Sequence, residues 1–433
     1  MASLEEIVSL AKRRGFMFPG SDIYGGLAGT YDYGPLGLAL KQNIQRIWWR
    51  MFVDERDDMY GVDAAILMNP KAWLASGHVG GFADPLIECS ACKRRFRADH
   101  LDDTGACPEC GKKGTLGEAR MFNMMFKTFV GATEDETSLT YLRPETAGGM
   151  FMNYKNIIDA FHPKLPFGLA QMGKAFRNEI APRDFVFRMR EFEQMEIEYF
   201  VREGEWEQAF EAWRVRMHEF AKEVGIHEVH ELEVEERDLA HYSKRTIDIE
   251  FDYPFGRKEL WGLAYRTDFD LSAHQAASNA TLTYLDEETG EKFIPHVIEP
   301  TFGVERTLLA VLASAYSEDE LGGEKRIVLR LDPKVAPVKA MVSPLLKNKP
   351  ELVAKAREVR AALKAAHPAI AWDDNGNIGK RYRRQDEIGT PWCITIDFDT
   401  LENGSVTLRE RDSGEQVRLS VEEITERIKT AVS

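Results

Sequence analysis

Cys89, Cys92, Cys107 and Cys110 stand as two CxxC pairs separated by 14 residues. Each pair can form a tight turn presenting two thiolates, and two such turns can close a tetrahedron around zinc. With every position taken by sulfur, such a site has no open coordination position and is structural rather than catalytic. Cys393 sits in an apolar run and reads as core. His227-Glu-Val-His230 spaces its histidines three apart, and the zinc-protease motif needs four, so that chemistry is set aside. A second group is Phe176-Arg177-Asn178-Glu179, then a polar link, then Arg188, Phe192 and Glu196 at intervals of four. On two antiparallel strands Arg177 and Arg188 can face one anion, and strand alternation puts Arg188, Phe192 and Glu196 on one face. Guanidinium groups, an aromatic plate and a carboxylate together suit a triphosphate, a stacked base and an ammonium group. A solvated, charged sheet face has the same pattern, so residue types alone leave both readings open. A third group, Glu299-Pro-Thr-Phe-Gly303-Val304-Glu305-Arg306, joins an acidic residue and an arginine to a strand–helix corner where backbone can approach a ligand closely.

These residues need a scaffold of ordinary soluble composition. The 433 residues are 44% hydrophobic and 29% charged, with a net charge of −15, a length suited to two to four domains. No apolar run reaches the ~18 residues of a membrane span, and the acidic start Met1-Ala-Ser-Leu-Glu-Glu6 resembles neither a secretory nor a transit leader. A cytoplasmic protein is expected. The acidic balance argues against a general nucleic-acid binder and leaves room for a local RNA site.

The elements follow from periodicity. Helices are expected over Leu4–Lys12, from Pro35 through Leu40, Ile44, Ile47 and Met51, over Glu205–Val224, and from Val304 through Leu312. Strands are expected over Phe185–Phe200, Thr246–Phe251 and Phe293–Pro300, with Asn178–Asp184 as a polar link. The charged stretch Glu318–Lys325 is the expected boundary. Beyond it the pattern turns βαβα: strand Val335–Val342, helix Glu351–Ala366, strand Ala369–Trp372, helix Ile378–Ile388 and strand Trp392–Phe398. Asn403-Gly404 reads as a hairpin turn between two strands, and Ser420 with Glu423 as a capping box.

Taken together, these segments resemble the class II aminoacyl-tRNA synthetases, specifically the homodimeric type of glycyl-tRNA synthetase, almost from end to end. Gly34-Pro35 with its helix resembles motif 1. Phe176-Arg177-x-Glu179 with Arg188-x-x-x-Phe192-x-x-x-Glu196 resembles motif 2, and Gly303-x-x-Arg306 resembles motif 3. The glycine-specific likeness lies in Arg143-Pro-Glu-Thr-Ala-Gly148, Arg190-Glu-Phe-Glu-Gln-Met-Glu196, Arg266-Thr-Asp-Phe-Asp270 and Glu299-Pro-Thr301. The resemblance implies an α+β fold. Its catalytic domain (1–322) is an antiparallel sheet flanked by helices, with motifs near 30–55, 170–200 and 295–315. A zinc-ribbon-like insertion (85–115) interrupts it, and a C-terminal α/β anticodon-binding domain (323–433) follows.

The resemblance also implies roles. ATP, with Mg²⁺, and glycine form glycyl-adenylate, and the glycyl group passes to the 3′ end of tRNA(Gly). Arg177, Arg306 and Glu179 are the catalytic expectation, with Arg177 on the α-phosphate. The ATP site is expected to include Asn178, Phe187, Arg188, Met189, Arg190, Glu191 and Phe192. It would continue through Glu259 and Leu260, with Glu259 on Mg²⁺, and through Gly303, Val304, Glu305 and Arg306. Glycine would meet Glu145, Glu196 and Glu299 around its ammonium, with Arg97 nearby. The adjoining Phe192, Glu193, Gln194, Met195, Pro300, Thr301, Phe302 and Gly303 complete that expectation. Thr301 stands where the family usually has serine, which keeps the hydroxyl and narrows the pocket by a methyl. Cys89, Cys92, Cys107 and Cys110 would hold structural Zn²⁺, Lys380, Arg381, Arg383 and Arg384 would meet tRNA, and motif 1 would form a homodimer. Three alternatives predict other features. A synthetase for serine or alanine needs a gap in the acidic pocket, and a silent relative loses Arg177, Arg188 and Arg306. An enzyme that glycylates a carrier protein lacks the C-terminal domain.

Overall fold

In the computed structural model, which describes residues 2–101 and 104–432, the alternating runs assemble into a seven-stranded sheet. Its strands are β1 (Met59–Gly61), β2 (Phe167–Phe176), β3 (Glu191–Val201), β4 (His230–Glu233), β5 (Arg245–Tyr253), β6 (Gly256–Thr267) and β7 (His296–Gly303). Across the sheet they run β4-β5-β6-β7-β3-β2-β1. Neighbours are antiparallel except β1 and β2, so the expected antiparallel sheet gains a parallel edge strand.

Alternation gives the sheet two unlike faces. Met195, Ile197, Trp261, Leu263 and Phe302 enter the main apolar core. Helices α1 (Leu4–Arg14), α2 (Pro35–Trp49), α4 (Trp206–Glu223) and α6 (Val304–Ala315) also contribute to it, α3 (Ala147–Phe161) and α5 (Phe269–Ser278) lying elsewhere. Phe302 sits at its centre, within 5.9 Å of the rings of Trp48, Phe52, Phe220 and Trp261. The other face is apolar only at one end, where α3 and α5 lay Met150, Phe151, Tyr154 and Leu271 against Phe167, Leu169 and Phe200. The rest of that face is polar and carries the candidate site. Helix starts follow the expected chemistry: Ser3 and Glu6 form a capping box on α1, and Pro35 opens α2 where its missing N–H is harmless.

Several expected elements fold otherwise. Phe185–Phe200 is not one strand. Asp184 and Phe185 adopt left-handed backbone, φ +60° and +57°, and Phe185–Phe187 makes a single 3-10 turn whose side chains enter the core. The strand begins only at Glu191, so Arg188 precedes it and does not share its alternation. The strand expected over Phe293–Pro300 runs His296–Gly303, with Phe293 in a separate small hairpin. Val335 and Ala336 belong to a turn on Asp332, their carbonyls held by the Asn43 amide of α2, and the strand expected from Val335 begins at Ala340. Asn403-Gly404 closes the short helix Phe398–Asn403, with Gly404 at φ +75° as its cap, and does not turn a hairpin.

Between Leu86 and Asn123 the chain leaves the main sheet. Ala83–Glu88 pairs with Arg95–Arg97 on one side and Arg120–Asn123 on the other, and the four cysteines cluster on the connecting turns. Residues 102 and 103 of the expected insertion lie outside the described residues. The C-terminal body is a five-stranded mixed sheet of β8 (Ala340–Pro344), β9 (Ile370–Trp372), β10 (Trp392–Ile396), β11 (Val406–Glu410) and β12 (Gln416–Leu419), ordered β9-β8-β10-β11-β12. Helices α7 (Pro350–Ala366) and α9 (Val421–Val432) cover it, and Ile378–Glu387 forms α8. Ser420 and Glu423 make the expected capping box, with bonds of 2.7 and 3.2 Å.

The charged stretch 318–325 folds into a hairpin, Tyr316–Leu321 with Glu324–Leu329, turned at Gly322-Gly323. This hairpin ties the two bodies together. Leu329 enters the main core, while Arg326 is buried against Asp386 at 3.0 Å and against the carbonyls of Arg411 and Asp412.

Candidate active site

The register of β6, β7, β3 and β2 lays the polar face out in rows. Gly303, Gln194 and Gly173 form one row; Gly262, Thr301, Glu196 and Gln171 form the next. Ala264, Glu299, Glu198 and Leu169 follow, because the pairs Glu196–Thr301 and Tyr199–Ile298 place Glu198 across from Glu299. Two of the glycines are small for opposite reasons. A Cβ on Gly173 would lie 2.2 Å from the Arg143 guanidinium, whereas a Cβ on Gly262 would meet no atom within 4 Å.

Along the lower rows lies a nest of buried carboxylates. Glu196 accepts from the Thr301 hydroxyl at 2.9 Å and from the Thr146 amide at 3.1 Å, with the Gln194 amide at 3.2 Å. Glu299 accepts from Arg266 at 2.7 Å, and Arg266 also forks onto both oxygens of Asp270 at 2.8 Å. Glu145 meets His78 at 3.2 Å, and His78 contacts the Ser76 hydroxyl at 2.8 Å through its other ring nitrogen. Burial alone would raise Glu145, but His78 with Arg266 and Arg177 outweighs it and holds the carboxyl at about 2. Burial pushes Glu299 up to about 8, with Glu196 and Glu145 adding to the rise against Arg266. Glu196 is raised by burial and by Glu145. Such a nest stores negative potential, and a small cation relieves it.

Next to the nest, over the upper rows, opens a cleft of about 300 Å³ lined by cations and aromatic rings. Arg177 is held by its Nε on the Pro144 carbonyl at 3.0 Å and lies between the rings of Phe82 and Phe192, 5.3 and 5.2 Å away. Arg306 binds the Glu259 carboxylate at 2.9 Å and lies over Phe187 at 4.5 Å. Arg188 reaches Glu179 only at 3.9 Å; burial lowers its pKa, and Arg97, Arg183 and Arg306 lower it further despite Glu179. Arg97 enters from the cysteine-bearing insertion, steadied by Asp84 at 2.5 Å and Asp99 at 2.7 Å. Guanidinium groups converging among aromatic rings suit a polyanion.

The cleft is lined by Arg97, Arg177, Glu179, Phe187, Arg188, Met189 and Phe192, all expected from the sequence. From the far wall Glu259, Leu260, Thr301, Gly303, Glu305 and Arg306 join them. Other expected residues point elsewhere, those of β3 and β7 because alternation turns them to the opposite face. Met195, Phe302 and Val304 are buried in the core. Pro300 is buried opposite Leu263. Glu193 faces α2, where Lys41 binds it at 2.5 Å and Gln45 at 2.9 Å. Glu191 pairs with Lys174. Arg190 holds the carbonyls of Ala28 and Glu179 and so shapes the loop, while the backbone N–H of Asn178 donates to the Met124 carbonyl. His78, Glu198 and Gly262 are not singled out from the sequence, nor are Met124, Val186 and Trp261 of the cleft lining, and Arg266 is named there only as part of a family-like segment without a role. Continuing the alternation from Glu196 by two residues reaches Glu198, and Arg266 stands in the Arg-Thr-Asp-Phe-Asp segment four residues before Asp270, while His78 carries no local signal.

Elsewhere, the four cysteine sulfurs approach one another to 3.8 Å (Cys89–Cys110) and 3.6 Å (Cys92–Cys107). In the basic cluster of α8, Arg381 is 1% exposed and bonded to Ser343, Pro344, Asp374 and Gly376. Its guanidinium is therefore a packing element of the domain and is not turned outward for the RNA contact expected of it. Arg383 leans on Glu324, and Arg384 forks onto Asp373.

Residues 128–315 match the tRNA synthetase class II core domain (G, H, P, S and T), and residues 339–431 match the anticodon binding domain. The chain is 49% identical to the glycine–tRNA ligase of Thermobifida fusca over 447 residues, covering 98% of this chain and 96% of that one. It is equally 49% identical to the glycine–tRNA ligases of Clostridium acetobutylicum and Bacillus anthracis, with 98% of this chain covered in each and 97% and 98% of theirs. The chain belongs to the glycine–tRNA ligase family. The class II core match covers β2 to β7 and with them most of the nest and cleft, His78 and Arg97 lying before it, and the anticodon-binding match begins one residue before β8.

Proposed function

We propose that the chain joins glycine to ATP as glycyl-adenylate in the cleft and nest, then passes the glycyl group to the 3′-terminal ribose of tRNA(Gly). The observation that carries this reading is the adjacency, on one sheet face, of a carboxylate nest and an arginine-lined cleft. Glu145, Glu196 and Glu299 receive the glycine ammonium, and Thr301 fixes Glu196 by its hydroxyl while its methyl narrows the space. The glycine carboxylate attacks the α-phosphorus of ATP, pyrophosphate leaves, and Arg177 neutralises charge on the α-phosphate. Arg188 and Arg306 hold the outer phosphates, and the adenine lies between Phe192 and the backbone. One Glu179 oxygen, buried without a hydrogen-bond partner, meets the adenine amino group. No protein nucleophile takes part; alignment and charge neutralisation supply the rate. The ribose hydroxyl of tRNA then displaces AMP from the adenylate carbonyl.

Mg²⁺ belongs with ATP, and Glu259, at the cleft rim beside Arg306, offers it a carboxylate. The cysteine sulfurs fit zinc, since bonds of ~2.3 Å in a tetrahedron put sulfurs about 3.8 Å apart and the separations of 3.8 and 3.6 Å lie close to that. The domain limits stay as read from the sequence, with a catalytic domain over 1–322 and an anticodon-binding domain over 323–433. Lys380, Arg383 and Arg384 are the tRNA contacts of α8. A homodimer through α2 is supported by the exposed Ile23, Tyr24 and Leu27 of the loop leading into it. No helix among the described residues is long and apolar enough to cross a membrane, and a cytoplasmic setting suits the proposed tRNA substrate.

The test is ATP–pyrophosphate exchange with each standard amino acid in turn. Exchange with glycine alone is expected; exchange with none, or equally with alanine, overturns the assignment of the nest.

A further inference from the structure

Glu198 is the one carboxyl of the nest that the reaction above leaves without a task. It is fully buried, and among the described residues neither of its oxygens has a hydrogen-bond partner. Carboxylate oxygens of Glu196, Glu198 and Glu299 lie within 4.8 Å of one another. The groups around it are few. Strand β3 brings Glu196, β7 brings Glu299, β6 brings Arg266, and α5 brings Asp270. Arg266 is already committed to Asp270 and Glu299. Helix α3 adds only uncharged Met150, Phe151 and Tyr154 at this end of the face. An ionised carboxylate here would be buried, undonated and beside other carboxylates, which is the arrangement least able to hold charge. Burial, followed by Glu299, holds Glu198 well above the usual carboxylate range, against the pull of Arg266. A neutral carboxyl changes the hydrogen-bond count: it gains one O–H donor, and the acceptor across from it in register is Glu299.

We propose that Glu198 is a positioning residue for amino-acid binding, which keeps its proton and donates an O–H hydrogen bond to Glu299 on the neighbouring strand. The donated bond fixes the Glu299 carboxylate in the orientation that the glycine ammonium meets. The inference rests on the reading of the nest as the ammonium site. Glu198 itself does not touch the substrate.

Two variants separate positioning from packing. Glu198→Gln keeps a neutral donor of the same shape, and Glu198→Leu keeps only the volume in an apolar setting. In glycine-dependent ATP–pyrophosphate exchange, Glu198→Leu should raise KM for glycine roughly tenfold or more, the scale of a hydrogen bond to a charged group. KM for ATP should stay near its original value. Glu198→Gln should restore KM for glycine to within about threefold of the original chain. An unchanged KM in Glu198→Leu, or an equal rise in both variants, overturns the proposal while leaving wild-type exchange, and so the proposed function, intact. Infrared difference spectroscopy of the free protein supplies a readout independent of activity and of the variants' stability under assay. The wild type minus Glu198→Gln spectrum at neutral pH should contain a protonated carboxyl C=O band that shifts in D₂O. A carboxylate band in its place overturns the proposal.

Discussion

Replacing Gly262 by alanine separates the demands of the fold from those of the ligand. Gly262 lies on β6 in the row of Thr301 and Glu196, between nest and cleft. A Cβ added there meets no protein atom within 4 Å, and no left-handed backbone is required. The fold therefore gains from the change, because glycine inside a strand is less favourable than alanine by roughly 0.5–1 kcal/mol. The ligand loses. If glycyl-adenylate crosses this row, the methyl occupies its contact surface, and forcing an extra methyl group into a filled site costs about 1–3 kcal/mol. At about 1.4 kcal/mol per tenfold, kcat/KM for glycine should fall roughly 5- to 150-fold. Thermal unfolding and glycine-dependent pyrophosphate exchange measured on one preparation should thus move in opposite directions, with Tm unchanged or higher. Unaltered kcat/KM would refute the passage of substrate over Gly262. A fall in Tm accompanying the loss would refute the claim that the space is empty for the protein. Gly173→Ala is the contrasting control, since its Cβ would strike Arg143 at 2.2 Å and should destabilise the fold itself.

Further predictions concern charge, metal and the joint between the two bodies. Glu299 sits at about 8 in the free protein, so near pH 7 it is mostly protonated, and an incoming ammonium favours its ionised form. Glycine binding at pH 7 should therefore release protons, read by calorimetry in two buffers of different ionisation enthalpy, and KM for glycine should rise as pH falls below about 8; zero release refutes the assignment. For stability the sign is opposite to that of a salt-bridged carboxylate: the raised pKa of Glu299 contributes stability below its ordinary 4.5, and that contribution is lost as pH climbs to about 8. Cys107→Ser should lower bound zinc and, by loosening the insertion that carries Arg97, raise KM for ATP; unchanged metal content removes the zinc assignment. Asp386→Asn takes the charge from a fully buried carboxylate held by Arg326 and Arg409 and should cost about 3–5 kcal/mol in urea unfolding. A loss under about 1 kcal/mol would mean that the hairpin is not what binds the bodies together.

Residue alternation made much of the site readable in advance. Phe192 and Glu196 do share a face, and Glu299 with Thr301 lies beside them, because a strand's period of two survives any packing. Where backbone leaves the strand, that rule has nothing to act on. Arg188 reaches the cleft after a turn through left-handed Asp184 and Phe185, so its place follows from tertiary anchoring of the Phe185–Phe187 side chains in the core. Neighbours in sequence inherit opposite faces, which is why Glu193 and Met195, taken with their motif, serve α2 and the core. Arg381 shows the limit of composition: its guanidinium closes a ring of carbonyls inside the domain, and the string Lys-Arg-Tyr-Arg-Arg contains no sign of which arginine turns inward. His78 is similar, since its meeting with Glu145 joins segments 67 residues apart and no local periodicity links them.

Glycine is the hardest amino acid to orient by contact, because it has no side chain for a pocket to grip. The charge pattern of the sheet face offers another means. Acidic groups gather over the lower rows and guanidinium groups over the upper ones, so a zwitterion between them lies in a field that points along the sheet. Its ammonium is drawn toward Glu145, Glu196 and Glu299, favouring the ionised form of Glu299 as it binds, and the carboxylates so formed repel its carboxylate toward Arg177 and the α-phosphate. Two anions, a carboxylate and a phosphate, must meet for the proposed reaction. The nest pushes one and the arginines hold the other, so orientation and neutralisation come from one arrangement. Larger amino acids carry the same two charges and feel the same field. Their exclusion must then be steric, resting on the Thr301 methyl and on the crowding of the buried glutamates. Small apolar differences discriminate poorly when the smaller substrate must be rejected, and glycine has no smaller competitor. A site that orients by field and rejects by size needs no editing step for this one amino acid.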